Sequence, residues 1–254
     1  MSDYNRFANA RSGAGVAQSA TGAVDQGLRA YMLGVYNYMT LGLGLTGLVA
    51  FVTYRAAATE IGGRALLNDF GHALYGSPLR YVVIFAPLLV VIGFSAGRNS
   101  LSVGAARGVF LLFAALIGLS MSSIFLIYTK GSISNVFFET AAAFGALSLY
   151  GYTTKRDLSA MGSFMVMGLF GLIIASVVNI FLQSSGLQWA LSVVAVGVFA
   201  GLTAWDTQAI KSAYYAGGFG EENEKKAIYG ALQLYLDFIN MFQALLFLFG
   251  DRRN

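Results

Sequence analysis

Long apolar runs alternate with short polar segments along the chain, and each run has about the length of a membrane-spanning helix. A helix needs about 20 predominantly apolar residues to cross a bilayer. The runs are continuous rather than alternating, which favours helices over the strands of a transmembrane barrel. We predict an all-α membrane protein with a seven-transmembrane-helix bundle over residues 28–254. The predicted helices are Tyr31–Tyr54, Tyr81–Gly97, Gly108–Tyr128, Ile133–Tyr152, Met161–Leu182, Leu187–Ile210 and Ala227–Phe249.

Residues 1–27 differ from the rest of the chain because they are small, polar and without periodicity, which predicts a flexible N-terminal tail. Residues 55–80 form the longest connection, with room for a short surface helix. Pro87 predicts a kink in the second helix. Three glycines of the first helix, Gly42, Gly44 and Gly47, are expected to mark close helix packing.

The composition supports a membrane protein and argues against an enzyme. Apolar residues make up 57% of the chain and charged residues 11%, against about 25% charged in soluble domains. There is no cysteine and the one histidine, His72, lies in a connection. Thiolate chemistry and histidine-ligated metals are thereby excluded, and a serine triad lacks a suitable base. We expect the net charge of +4 to contact membrane lipid rather than nucleic acid.

The distribution of positive charge predicts the orientation in the membrane. If the N-terminal tail is cytoplasmic, ten of the sixteen lysines and arginines lie on the cytoplasmic side, as the positive-inside rule favours. A last helix that fails to cross completely would move Arg252 and Arg253 to that side as well and would fit the rule better. The side of the C-terminus therefore stays open.

Three of the twelve acidic residues, Glu139, Asp206 and Asp237, fall within predicted helices. An acid at the centre of a membrane helix costs about 2.5–3.5 kcal/mol on insertion scales and usually faces the bundle interior. Gln233, Asp237 and Asn240 share one face of the seventh helix, which predicts that this polar face points inward. Glu139 lies near one end of its helix, where it can reach the headgroups.

Asp206 lies on the sixth helix, and helices that follow each other in sequence are usually neighbours. Two carboxyl groups brought together in low dielectric cannot both ionise cheaply, so Asp206 and Asp237 would form a proton sensor or a weak cation site. In the alternative interpretation, Asp206 reaches the membrane interface and Asp237 bonds only to Asn240 or to backbone.

Two aspartates on adjacent helices also occur in intramembrane aspartyl proteases, where they share a proton and activate water. The usual marks of those enzymes are a Tyr-Asp pair and a Gly-x-Gly-Asp run. Here the contexts are Trp205-Asp206 and Tyr235-Leu236-Asp237, so this alternative is disfavoured.

Four segments resemble the Bax inhibitor-1 family. They are Ala231–Gly250 with the sequence ALQLYLDFINMFQALLFLFG, Val35–Leu43, Leu147–Gly151 followed by Thr154–Ser159, and Asp206–Lys211. The resemblance implies a seventh helix at the centre of six others, and a pH-sensitive calcium leak gated by an aspartyl pair that matches Asp206 and Asp237. It also implies Ca²⁺ as the transported or weakly bound ion, with Arg98 as the candidate gating partner.

The polar tail resembles bacterial members, which implies the inner membrane. Bacterial relatives are also linked to a membrane-bound AAA protease, and this implies an alternative function as a membrane-embedded regulator without ion flux. Nothing in the sequence indicates the oligomeric state.

Overall fold

The computed structural model describes the backbone of residues 4–61, 64–97, 100–215 and 220–253, and the side chains from residue 26 onward outside residues 61–64, 98–99, 215–219 and 254. Nearly all of this backbone is helical. The elements in chain order are α1 (Tyr4–Ala57), β1 (Ala58–Ile61), β2 (Arg64–Leu67), α2 (Asp69–Gly71), a π-helical turn (His72–Gly76), α3 (Leu79–Ala96), α4 (Val103–Met121), α5 (Ile124–Ile127), α6 (Lys130–Thr153), α7 (Ser159–Leu182), α8 (Ser185–Tyr215) and α9 (Glu221–Phe249).

Six helical stretches of the described chain are long and apolar enough to cross a membrane. They are Gln26–Ala57, Leu79–Ala96, Val103–Ile127, Ser159–Leu182, Ser185–Tyr214 and Glu221–Phe249. The protein is therefore an all-α integral membrane protein, as predicted. The predicted fourth helix corresponds to α6, which has 24 residues and is about 36 Å long but is less apolar. Its crossing, and with it the seven-helix bundle, stays a prediction.

Residues 4–27, part of the segment predicted to be a flexible tail, form the beginning of α1, which starts at Tyr4. The side chains of residues 1–25 lie outside the described part of the chain, and the flexibility of this segment stays a prediction. Pro87 lies inside α3, which continues on both sides of it.

The connection predicted to have room for a surface helix contains an antiparallel hairpin in addition to the short α2. Strands β1 and β2 pair from Ala58 opposite Leu67 to Ile61 opposite Arg64. Gly62-Gly63 separates the two strands in the sequence, and a Gly-Gly pair between short strands is a recognised hairpin signal. The sequence analysis missed this signal because both strands are only four residues long.

Helix α9 is the most buried of the candidate spans. Just over half of its apolar window, 56%, is buried, against 11–39% in the other five. It packs against α1, α4, α6 and α8, whereas α7 packs mainly on α8. The most apolar segments are thus the peripheral ones, because lipid-facing helices must be apolar all round and the interior helix need not be.

Close helix crossings depend on particular glycines. A Cβ atom at Gly151 of α6 would collide with the backbone carbonyl of Ala204 in α8, and one at Gly42 of α1 would lie 2.7 Å from the ring of Phe110 in α4. Gly44 and Gly47 face open space instead and line a cavity. The prediction of close packing therefore holds for Gly42 and is wrong for Gly44 and Gly47.

Candidate functional site

The two acids predicted to meet do lie together. Asp206 on α8 and Asp237 on α9 are buried, with exposed fractions of 7% and 4%. Their carboxyl groups lie close enough to share a hydrogen bond. The helices α8 and α9 pack along much of their length, which places the acid pair between the two most buried candidate spans.

Such a hydrogen bond has a direct chemical consequence. An ionised carboxylate only accepts hydrogen bonds, so two carboxyl groups can be joined directly only if one of them keeps its proton. The second oxygen of Asp237, Oδ2, is buried and has no hydrogen-bond partner among the described residues. In the described part of the chain no lysine or arginine forms an ion pair with either acid. The site is thus a buried pair of acids without a counter-charge among the described residues.

The polar face predicted for α9 is only partly turned inward. Asp237 is buried and Asn240 is half-buried, but Gln233 is exposed. The amide of Asn240 donates to the backbone carbonyl of Leu236 at 2.8 Å rather than to Asp237. The expectation that the whole stripe faces the interior is therefore wrong for Gln233, because α9 buries residues on most of its circumference and polarity alone did not define its inner side.

Arg98, the candidate gating partner, lies outside the described residues, and its role stays a prediction. Glu139 is exposed on α6, consistent with a residue that reaches the headgroups. No group of three or more histidine, cysteine, aspartate or glutamate side chains gathers among the described residues. Ca²⁺ takes six to eight oxygen ligands and two carboxyl groups supply at most four, so the pair fits a weak, largely hydrated cation better than a tightly bound one.

A hydroxyl and aromatic cluster holds α9 next to Asp237. The hydroxyl groups of Tyr235 and Thr46 are 2.6 Å apart, and Thr46 also donates to the carbonyl of Ala114 at 2.8 Å. The rings of Phe110 and Phe113 meet the Tyr235 ring edge-on. This cluster ties α1, α4 and α9 together two residues before Asp237.

A second set of hydroxyl groups, missed by the sequence analysis, holds α8 next to Asp206. The hydroxyl of Tyr36 lies 2.6 Å from that of Ser148, which lies 2.9 Å from that of Thr207. Thr207 also donates to the carbonyl of Thr203 at 2.7 Å. A usable signal was the i, i+4 spacing of Thr203 and Thr207 beside an intramembrane acid. These bonds connect α1, α6 and α8.

A cluster of four residues lies at the C-terminal end of α9. We call it the C-terminal clasp, and it is formed by Tyr54, Glu60, Lys130 and Arg253. The Glu60 carboxylate accepts from the Tyr54 hydroxyl at 2.5 Å and pairs with Lys130 at 2.8 Å and Arg253 at 3.2 Å. These hydrogen bonds, with that of Lys130 the strongest, lower the pKa of Glu60 to about 2.

Backbone hydrogen bonds reinforce the clasp. The amide of Thr129 donates to Asp251 at 3.0 Å, and the amide of Arg253 donates to Ile127 at 2.9 Å. An isolated bridge pairs Tyr128 with Arg252. The residues after α9 therefore add to the α5–α6 connection as a short antiparallel strand. The sequence analysis treated Glu60 and Arg253 as ordinary loop and terminal charges, because their proximity depends on contacts distant in sequence.

Two kinds of cavity border the site. A groove of about 910 Å³ between α1 and α6 is lined mostly by apolar side chains and has Phe238 of α9 at its floor. A second cavity, of about 630 Å³, lies on the other side of α9 and contains several serine and amide side chains, among them Asn240. Helix α9, which holds Asp237, thus has an apolar groove on one side and a polar cavity on the other.

The fold and site define an integral, all-α membrane protein with two buried acids on its two most buried candidate spans. Residues 28–254 match the family model described as Inhibitor of apoptosis-promoting Bax1. The chain belongs to the Bax inhibitor-1 family, as its sequence motifs predicted.

Bacterial relatives match nearly the whole chain. It is 46% identical over 230 residues to an uncharacterized protein of Rickettsia prowazekii, covering 91% of this chain and 93% of that protein. It is 44% identical over 255 residues to a protein of Caulobacter vibrioides, covering 100% of both. It is also 46% identical over 235 residues to the inner membrane protein YbhL of Escherichia coli strain K12, covering 89% of this chain and 94% of that protein.

Proposed function

We propose that this protein is a slow, pH-sensitive leak for Ca²⁺, gated by protonation of the Asp206–Asp237 pair. The observation that carries the proposal is the burial of two neighbouring carboxyl groups on the packed helices α8 and α9. Membership of the Bax inhibitor-1 family supports the same function by resemblance.

Electrostatics gives the direction of gating. With the shared proton in place, the pair carries one negative charge and bonds α8 to α9. Loss of that proton leaves two negative charges side by side in a low-dielectric interior, where their repulsion is only weakly screened. Separation of the helices or entry of a cation relieves the repulsion. Flux therefore rises with pH, and a divalent cation competes with the proton for the same oxygens.

The composition of the interior indicates a low rate. The core of the described residues is dominated by aliphatic and aromatic side chains, and Asp206 and Asp237 are its only buried charged residues. A cation that leaves water gains few ligands before it reaches the pair, and partial dehydration of a divalent ion is costly. Such a protein fits a leak rather than a rapidly conducting channel.

The proposed location is the inner membrane, on the basis of the name of the Escherichia coli relative. The N-terminal segment is placed in the cytoplasm, on the basis of the lysine and arginine distribution. Helix α9 has 29 residues, is about 43 Å long and ends at the clasp beside Tyr54 near the end of α1. This supports a C-terminus on the side opposite to the start of the Gln26–Ala57 span.

Calcium flux into proteoliposomes, measured with an entrapped dye between pH 5 and pH 8, tests the proposal. Flux through the natural protein should rise by roughly tenfold over this range, as expected when one proton gates the pair. Asp206→Asn and Asp237→Asn should each abolish the dependence on pH. Glu139→Gln is the matched control, because Glu139 is an exposed acid on a helix away from the pair, and it should behave like the natural protein.

Two other outcomes would contradict the leak. Flux that is flat with pH and unchanged by both asparagine variants would favour a regulator that docks on a partner, such as a membrane-bound AAA protease, without conducting ions. Cleavage of a membrane-embedded peptide that either asparagine variant abolishes would favour an aspartyl protease.

A further inference from the structure

The polar cavity beside α9 has a lining unlike that of the rest of the membrane-embedded surface. On one side it is lined by the C-terminal ends of α4 and α5. On the other side it is lined by the C-terminal half of α7 and the N-terminal half of α8, and α9 forms its floor. Its polar lining includes Ser120, Ser176, Gln188, Ser192, Asn240 and Gln243. These side chains come from four long helices, and each helix turns at least one of them toward the same volume. We call this cavity the polar vestibule.

The vestibule presents amide groups that can bond to water. The Asn240 amide nitrogen donates to the carbonyl of Leu236, and Gln243, on the same helix, is exposed and lines the cavity. An amide or hydroxyl group without a partner in an apolar medium costs several kcal/mol on transfer scales, roughly 4–8 from water to cyclohexane. A lipid chain in this cavity would leave these groups unpaired, whereas water would satisfy them.

The apolar groove between α1 and α6 provides an internal comparison. That groove is larger, about 910 Å³, and Phe137, Phe144 and Phe238 are among its lining residues. It suits an acyl chain. The vestibule, about 630 Å³ in volume, is far larger than the roughly 30 Å³ that one water molecule occupies in the liquid. Two cavities of similar size within one bundle thus favour different occupants because their linings differ.

The vestibule approaches the acid pair, although neither acid lines it. Asn240 lies three residues beyond Asp237 on α9, which is about 4.5 Å along the helix axis. On α8 the vestibule ends at Phe199, whose carbonyl accepts from Thr203 at 2.7 Å, and Asp206 follows within one further turn. The lining of the vestibule therefore ends about one helical turn from Asp237 and about two turns from Asp206.

No charged side chain lines the vestibule. Neutral oxygen ligands interact with a hydrated divalent cation without holding it tightly, since tight sites use several carboxylates. Arg252 and Arg253 contact Phe247 and Tyr128 at one end of the cavity. The acid pair lies beyond the other end, so a chamber of this kind would concentrate cations there when the pair has lost its proton.

We propose that the polar vestibule is filled with water and is the chamber through which hydrated divalent cations reach Asp206 and Asp237. The part of this proposal that concerns cations rests on the proposed leak. The part that concerns water does not, since it follows from the chemistry of the lining alone.

The absence of cysteine from the natural sequence makes a direct test available. Ser176→Cys on α7 and Gln243→Cys on α9 would each place a thiol in the vestibule. As controls, Ile174→Cys and Val178→Cys would each place a thiol on the exposed outer face of α7. The probe is a positively charged, membrane-impermeant methanethiosulfonate, added to the full-length protein in proteoliposomes. Such reagents attack thiolates, which form in water and not in lipid.

The vestibule thiols should react at least roughly tenfold faster than the two outer ones, as expected for a cleft that attracts cations. Calcium in the millimolar range should slow the reaction at Gln243→Cys. Equal, slow reaction at all four positions in a protein that elutes as a single species would overturn the proposal and indicate a lipid-filled cleft.

The outcomes distinguish this proposal from the leak itself. Fast vestibule labelling with no calcium flux would retain the water-filled vestibule and refute the leak. Calcium flux that depends on the acid pair, with no vestibule labelling, would retain the leak and refute this route. Attachment of the cationic reagent at Gln243→Cys should also reduce flux by several-fold, because a fixed positive charge repels the cation near the pair.

Discussion

The guanidinium group of Arg253 lies 3.2 Å from the carboxylate of Glu60, although 193 residues separate them in the chain. Glu60 lies on the hairpin that follows α1, and Arg253 follows the last turn of α9. The contact therefore links the hairpin after the first span to the residues that follow the last span. It also holds the residues that directly follow α9, the helix that contains Asp237.

The clasp should make stability depend on pH in acid. The folded pKa of Glu60 is about 2, below its ordinary value of 4.5. A lowered folded pKa means that the stabilisation is fully present above pH 4.5 and is lost as the pH falls from 4.5 toward 2. Glu60→Gln should lower the thermal unfolding temperature at pH 7 and flatten its pH dependence in this window.

Thermal unfolding in detergent, followed by circular dichroism between pH 2.5 and pH 7, measures this effect. Glu222→Gln is the matched control, because Glu222 is more exposed and pairs only with Lys226 one turn away, and such surface pairs contribute little. An unfolding temperature that responds equally to the two variants would contradict the clasp.

Gly151 should tolerate no side chain, because a Cβ atom there meets the backbone of α8 at Ala204. Gly151→Ala should lower the free energy of unfolding by about 1–3 kcal/mol, as overpacking does. Gly145→Ala on the same helix faces open space and should be neutral or stabilising by up to about 1 kcal/mol through helix propensity. Unfolding in detergent measures both variants, and equal stabilities would show that α6 and α8 can separate freely.

The hydroxyl group of Tyr235 should stabilise the cluster that positions α9. Tyr235→Phe keeps the ring against Phe110 and Phe113 and removes only the bond to Thr46, which retains its own bond to Ala114. The expected loss is about 1 kcal/mol of stability. Tyr150→Phe, at an exposed tyrosine, should have no effect. A neutral result at Tyr235 would mean that ring packing alone holds α9.

Several features of the fold could be predicted from local sequence. The long apolar runs predicted membrane helices at nearly the observed places, because a helix in lipid must be apolar over about 20 residues. The acids at 206 and 237 could be singled out because charges in such runs are costly. The family could be identified from the motif around Asp237, since that segment forms the most buried helix.

Other features could not be predicted because they depend on contacts between distant residues. The direction of Gln233, the open surroundings of Gly44 and Gly47, and the bond of Arg253 to Glu60 follow from which neighbours each helix meets. Periodicity gives the faces of a helix but not which face is the inner one when apolar residues cover most of the circumference, as on α9.

By itself, the sequence determined that this protein is a helical membrane protein of the Bax inhibitor-1 family with two acids on its last two helices. Those properties follow from the free-energy cost of exposing backbone and charge to lipid. This cost applies to each segment separately, whatever its neighbours are. Only the tertiary structure decided that the two carboxyl groups are buried next to each other, that polar side chains from four helices surround one cavity, and that Arg253 near the C-terminus pairs with Glu60 of the hairpin. The physical reason is that each of these depends on the packing of helices against one another, which no single segment of the chain encodes.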